Sequence, residues 1–278
     1  MEFSAAGKNK KTIKNLVCAW PWVELLHYAP ATMTINLNHM NAFFVSREIL
    51  SRANPEKARV LRSYFKTGKG QYAEGDKMLG VSMPQLRDIV KSRPEFALDE
   101  IQTLLDSEYH EVRMSGFLFL VRQFKKSKDE AERKSIFDFY LKNIRRANNW
   151  DLVDASCRDI VGSYLLVREE LREVLHRLAE SQNLWEQRTA IVSTWVFIKH
   201  GQFEDTLTLA RRFFSHKHDL IHKATGWMLR ELGKKDRRVL RDFLGKHSCD
   251  MPRTALRYAI EHFAPSERSY FMRLDRGE

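Results

Sequence analysis

From about Asn41 onward, apolar residues recur with the period of an amphipathic helix. Val112, Phe117, Leu120, Val121 and Phe124 fall on one helical face. No stretch shows the alternation of period two that marks a half-buried strand. Helix starts are written in the same region. Asn54-Pro55-Glu56 reads as an N-cap, a proline at the first helical position and an acid in the first turn. Ser127-Lys128-Asp129-Glu130 predicts a capping box, with Ser127 bonding the N3 amide and Glu130 reaching back. Asp250-Met251-Pro252 predicts the start of the last long helix. The connections are short, so neighbouring helices are expected to pack antiparallel.

The helices also repeat. Five segments align: EVRMSGFLFL around Arg113, LVDASCRDIV around Asp154, EQRTAIVSTW around Arg188, HKATGWMLRE around Lys223 and PRTALRYAIE around Arg253. Each has a charged residue, then small residues, then an apolar run, at successive intervals of 41, 34, 35 and 30 residues. These spacings suit helix-pair repeats of the HEAT or armadillo kind. The expected fold is therefore all-α, a HEAT-like helical-repeat solenoid with a basic concave face. An irregular helical domain with chance self-similarity is the alternative.

Composition agrees with helices. Only 12 glycines and 7 prolines occur in 278 residues, too few for the turns of a sandwich or barrel, and 43% hydrophobic residues suffice for a core. Lys plus Arg number 47 against 36 acids, a net charge of +11. The first forty residues hold four lysines and two acids, so most of the excess lies in the body of the chain. Nucleic acid is the default partner for such a surface, and charge for solubility alone is the plainer reading. Cys18, Cys157 and Cys249 are far apart with no CxxC pair. They imply neither a disulfide framework nor a cysteine zinc site, which fits a reducing cytoplasm. No apolar run approaches the ~20 residues of a membrane span.

Residues 1–40 stand apart. Lys8, Lys10, Lys11 and Lys14 before Leu16-Val17-Cys18-Ala19-Trp20 faintly resemble a signal peptide, but Pro21 and Glu24 interrupt the run. A loosely attached extension is expected, or a start at Met33 or Met40, with the organised domain over 41–272.

The row of charged residues gives the excess a location. Arg113, Arg188, Lys223 and Arg253 would line the concave face and follow phosphates. Burial in pairs that tie repeats together is the alternative for each of them. Asp154 is the exception in the row. A carboxylate there weakens attraction to phosphate, so it needs either a structural partner such as Arg188 or a chemical role. Trp150 lies four residues before Asp154, and Trp227 four residues after Lys223, each on the same helical face. Singly, each is an ordinary core tryptophan. Together they would flank the acid across a groove.

Asn149-Trp150-Asp151-Leu152-Val153-Asp154, Trp185-Glu186-Gln187-Arg188 and Lys223-Ala224-Thr225-Gly226-Trp227-Met228-Leu229-Arg230-Glu231 resemble the DNA alkylation repair family. Asn54-Pro55-Glu56-Lys57-Ala58 and Leu79-Gly80-Val81-Ser82-Met83-Pro84 resemble it too, and the likeness extends over about residues 41–270. It implies a DNA glycosylase acting on cationic N3- or N7-alkylated purines in duplex DNA, monofunctional, without base flipping and without a cofactor. It places the family carboxylate on Asp154, the active-site tryptophans on Trp150 and Trp227, and a phosphate-contacting arginine on Arg188. An aromatic near the lesion falls on Tyr64. A monomer in the cytoplasm, associated with the nucleoid, would follow.

Two rivals remain. His216, His218 and His222 have spacings a metal could use, but no HExxH is present, and a solvated helix start is the plainer reading. Helical-repeat proteins also serve as binding modules without chemistry, here for damaged or branched DNA.

Overall fold

The computed structural model describes residues 40–274. The proposed extension over 1–40 lies outside these, apart from Met40. The described chain is mostly helical, with an irregular stretch over 65–82 and one isolated bridge between Lys77 and Tyr109. In chain order the helices are α1 (Met40–Ser51), α2 (Pro55–Tyr64), α3 (Met83–Lys91), α4 (Leu98–Leu105), α5 (His110–Lys126), α6 (Glu130–Lys142) and α7 (Trp150–Cys157). They continue as α8 (Glu173–Glu180), α9 (Leu184–Ser193), α10 (Trp195–Lys199), α11 (Glu204–Arg212), α12 (Asp219–Lys235), α13 (Arg237–His247), α14 (Arg253–Ala259) and α15 (Pro265–Arg273). The chain leaves α7 through a wider, π-helical turn over Arg158–Gly162.

The five aligned segments lie on α5, α7, α9, α12 and α14, and each of these helices packs on the next. Other helices cover them: α4 and α6 against α5, α8 against α9, and α11 and α13 against α12. Small residues make the close approach. A Cβ on Gly226 would lie 2.4 Å from the Ala255 carbonyl oxygen and 2.5 Å from the Tyr258 Cβ, so α12 and α14 meet at a distance only glycine permits. The predicted face of α5 is buried throughout: Val112, Phe117, Leu120, Val121 and Phe124 all enter the core.

Helix ends partly follow the sequence expectations. Asn54 caps α2 by accepting from the Lys57 amide at 2.9 Å, with Pro55 first in the helix. The capping box at Ser127 does not form. α5 runs on to Lys126, which makes Ser127 its C-cap, and Asp129 caps α6 instead by accepting from the Ala131 and Glu132 amides. Nor does Asp250 cap a long helix. Pro252 stands at the N-cap of the short α14, without a side-chain cap, and α15 follows it.

α2 is attached differently from the rest. Ala58 is its one buried residue. Ala58, Phe65 and Met78 form a small cluster of their own, with Leu61 and Trp150 packed against it. Gly80 makes the attachment possible: its φ is +83°, and a Cβ there would lie 2.3 Å from the Asn54 carbonyl oxygen. The Leu79 and Gly80 amides both donate to the buried Glu111 carboxylate of α5, at 2.9 and 2.7 Å. The Asn54 and Leu79–Pro84 segments thus seat α2 beside the inner helices.

Candidate active site

The site is organised around the start of α7. The Asn149 side chain caps the helix, its Oδ1 accepting from the Trp150 backbone amide at 2.8 Å and its Nδ2 donating to the Phe65 carbonyl at 3.4 Å. Asp151 accepts from the Leu152 amide with one oxygen and meets His110 Nε2 at 2.9 Å with the other. His110 Nδ1 meets Asp76 at 2.9 Å, and Arg113 donates to the second Asp76 oxygen at 2.6 Å. Both ring nitrogens of His110 face carboxylates, which only accept, so the ring is an imidazolium donating twice. Two acids and two cations then balance within a buried cluster.

Burial pushes the His110 pKa down, but hydrogen bonds to Asp151 and Asp76 outweigh it and raise the value to about 9. Burial pushes Asp76 up, and the His110 hydrogen bond and the Arg113 charge overcome this and hold it below the usual carboxylate range. The consequence for stability has a definite sign. A histidine raised above 6.5 when folded contributes stability in full below pH 6.5 and loses it as pH rises through about 9. Thermal stability is therefore expected to fall between pH 7 and 10, and His110→Asn should flatten that decline. A native melting temperature unchanged across this range would contradict the charged cluster.

One turn beyond Asp151, Asp154 faces Arg188 of α9. Both carboxylate oxygens accept from the guanidinium, Oδ1 from Nε at 2.9 Å and Oδ2 from Nη2 at 2.8 Å. Arg188 Nη1 donates to the Leu220 carbonyl at 2.8 Å. The side chains are 17% and 7% exposed, so the pair is largely withdrawn from water. A two-pronged contact of this kind fixes the carboxylate plane. It also leaves acceptor capacity on both oxygens.

Asp154 and Arg188 line a cleft of about 1190 Å³ that is open to solvent. Trp150 and Trp227 line it as well, as do Tyr64, Tyr72, His218, Lys223, Arg230 and Tyr258. The Trp150 ring packs on Phe65 at 5.3 Å and meets Tyr64 edge-on at 5.8 Å. Tyr72 meets Trp185 edge-on at 5.8 Å. Burial raises the Tyr72 phenol, while a hydrogen bond with Trp150 and the Lys223 charge oppose it. Arg158, one turn past Asp154, lies over the rings of Trp195 (5.0 Å) and Trp227 (5.7 Å) and donates to the Asp154 carbonyl. It thereby ties Trp227 to the helix that carries the acid.

The structure thus brings Trp150, Asp154, Arg188 and Trp227 together, with Tyr64 and Lys223 at the rim. Of the expected basic row it brings Arg188 and Lys223 to the cleft and leaves Arg113 and Arg253 out of its lining. Arg113 is 5% exposed and bound to Asp76, Asn148 and the Ser107 carbonyl, so it ties elements together and does not face a groove. Arg188 gives three of its N–H groups to Asp154 and Leu220, where a phosphate contact was expected. Lys223 pairs with Asp219 at 2.7 Å. Arg253 is exposed but bonds the Met272 carbonyl and does not line the cleft. Sequence reasoning missed Tyr72, which sits in a glycine-bearing loop without periodicity, and Arg158, whose partners are two distant tryptophans.

The three histidines are taken up locally. His216 meets the Gln187 side chain at 2.9 Å, His218 caps α12 by accepting from the Leu220 amide, and His222 bonds the His216 carbonyl. Among the described residues no cluster suited to a metal occurs, and no helix is long and apolar enough to cross a membrane.

A model of the DNA alkylation repair enzyme family matches residues 45–263, which takes in every helix of the cleft. The chain belongs to that family. Its fold is similar to that of a solved structure described as a predicted DNA alkylation repair enzyme from Enterococcus faecalis, with a TM-score of 0.61 at 18% identity. The likeness covers 77% of this chain and 97% of that one. No curated protein matches the chain. Membership supports a DNA repair role and DNA as the partner.

Proposed function

We propose that the protein is a DNA glycosylase that hydrolyses the N-glycosidic bond of cationic N3- or N7-alkylated purines in duplex DNA. One observation carries this reading: in a member of a DNA alkylation repair family, a carboxylate is clamped in an open cleft lined by two tryptophans.

The chemistry suits the lesion. An alkylated purine already carries a positive charge, so it leaves with the bonding electron pair as a neutral base and needs no general acid. Positive charge then develops on the sugar. Asp154, held in place beforehand by Arg188, would stabilise that charge electrostatically. Water attacks C1′, and its proton passes to Asp154 or to solvent. Tryptophan faces attract cations by about 0.5–2 kcal/mol, which would favour charged over neutral bases. An open cleft supports recognition of charge without base flipping. Tyr64 and Lys223 would contact the DNA at the rim. The proposed reaction needs no cofactor, and water as nucleophile makes the enzyme monofunctional.

A non-catalytic DNA-binding module is the second reading. The Asp154–Arg188 pair favours it, because it gives the acid a structural partner without any chemistry. Product analysis separates the two. Duplex DNA with a single N7-methylguanine should yield free base and an intact strand that breaks only after alkaline treatment. Tight binding with no free base would leave the module; strand breakage without alkali would contradict a monofunctional enzyme.

A further inference from the structure

Five cations line the cleft around Asp154, and they fall into two groups. Arg188, Lys223 and Arg230 are held by acids: Asp154, Asp219 and the pair Glu261 and Glu231. Arg59 and Lys66, on the α2 side, have no acid partner among the described residues. The cleft cations with no acid partner among the described residues therefore stand on one wall.

That wall is built as a surface. α2 buries Ala58 alone, and Lys57, Arg59, Arg62 and the following Lys66 stand against the single acid Glu56. Val60 and Tyr64, one helical turn apart, are 64% and 60% exposed and line the same cleft. Tyr64 rests edge-on against Phe65 and Trp150 with the rest of its ring open to the cleft, and Val60 is open beside it. Lys66 adds a further sign. It occupies the position just after the C-cap with φ +56°, a left-handed seat that glycine usually fills. The left-handed turn closes the helix end, with the Thr67 amide donating to the Arg62 carbonyl at 3.1 Å, and it leaves the Lys66 side chain exposed at the cleft wall.

We infer that α2 with Lys66 is the wall that grips the DNA backbone. Arg59 and Lys66 take phosphates, while Val60 and Tyr64 lie against the sugar edges opposite Asp154. The inference rests on the reading of the protein as a DNA-repair enzyme for its partner, but not on glycosylase chemistry. It adds phosphate contacts on the α2 wall to the rim contact of Lys223, while Arg113 and Arg188 of the inner-helix row are buried on partners within the protein.

Binding to an unmodified duplex tests this by its salt dependence. Each phosphate contact adds about 0.9 to the slope of log affinity against log salt. The variant Arg59→Gln/Lys66→Gln should lower that slope by roughly two and weaken binding about tenfold or more near 0.1 M salt. Both side chains are exposed, so the fold is retained, as circular dichroism would verify. The charge-matched control Lys128→Gln/Lys246→Gln, at exposed positions outside the cleft, should keep the native slope within about half a unit. A native slope in the α2 variant, or an equal drop in the control, overturns the inference. So does an absence of salt-dependent duplex binding by the native protein. If the α2 variant loses slope while the native protein releases no base, the wall stands and the glycosylase reading falls.

Discussion

Asp154→Asn is expected to reduce release of N7-methylguanine by at least about 10²–10³-fold, the scale seen when one electrostatic contact to a transition state is removed. Affinity for duplex DNA should stay within about threefold of native, because the substitution removes no cation. The amide keeps the shape of the side chain but not its charge. It presents one oxygen and one NH2 to a guanidinium that needs two acceptors, so Arg188 is left partly unsatisfied. Some loss of stability, roughly 1–3 kcal/mol, should accompany the kinetic effect. Rates therefore need to be measured well below the variant's unfolding range. Native-like release by this variant would remove Asp154 from the reaction.

Arg188→Ala should be the most damaging change to the fold of the site. It strips the counter-charge from a carboxylate that is 17% exposed and leaves the Leu220 carbonyl without its donor. Breaking such a pair costs about 3–5 kcal/mol, or on the order of 10 °C in melting temperature for a domain of this size. Activity should fall at least as far as in Asp154→Asn, since the remaining carboxylate is free to turn away. Duplex affinity should fall much less than activity, because the guanidinium is spent on protein partners. The phosphate contact that the family resemblance implies for Arg188 would instead lower binding and activity together. A variant whose affinity falls in step with its activity would restore that phosphate role.

The features that sequence made legible are those with a local physical signature. Burial of one face writes the period of α5, and the i, i+4 spacing places Trp150 with Asp154 on α7. The cap at Asn54 is legible because its proline and acid follow at once. Partnerships across the chain leave no such trace. Arg113 and Lys223 look alike in their repeats, yet Arg113 is buried on Asp76, a residue 37 positions away in an irregular loop. Ser127 and Asp129 are both capable of capping, and only the length of α5 decides between them. Apart from Tyr64, the open wall of α2 is illegible for a related reason: its residues announce exposure, not what they face.

The most direct measurement of the central claim uses the native protein and two duplexes of one sequence, one with N7-methylguanine and one with hypoxanthine at the same position. One lesion is cationic and the other neutral, so single-turnover release with enzyme in excess isolates the response to charge. The account predicts rapid release of N7-methylguanine and no release of hypoxanthine above the spontaneous rate. Equal release of both, or release of neither, would contradict it.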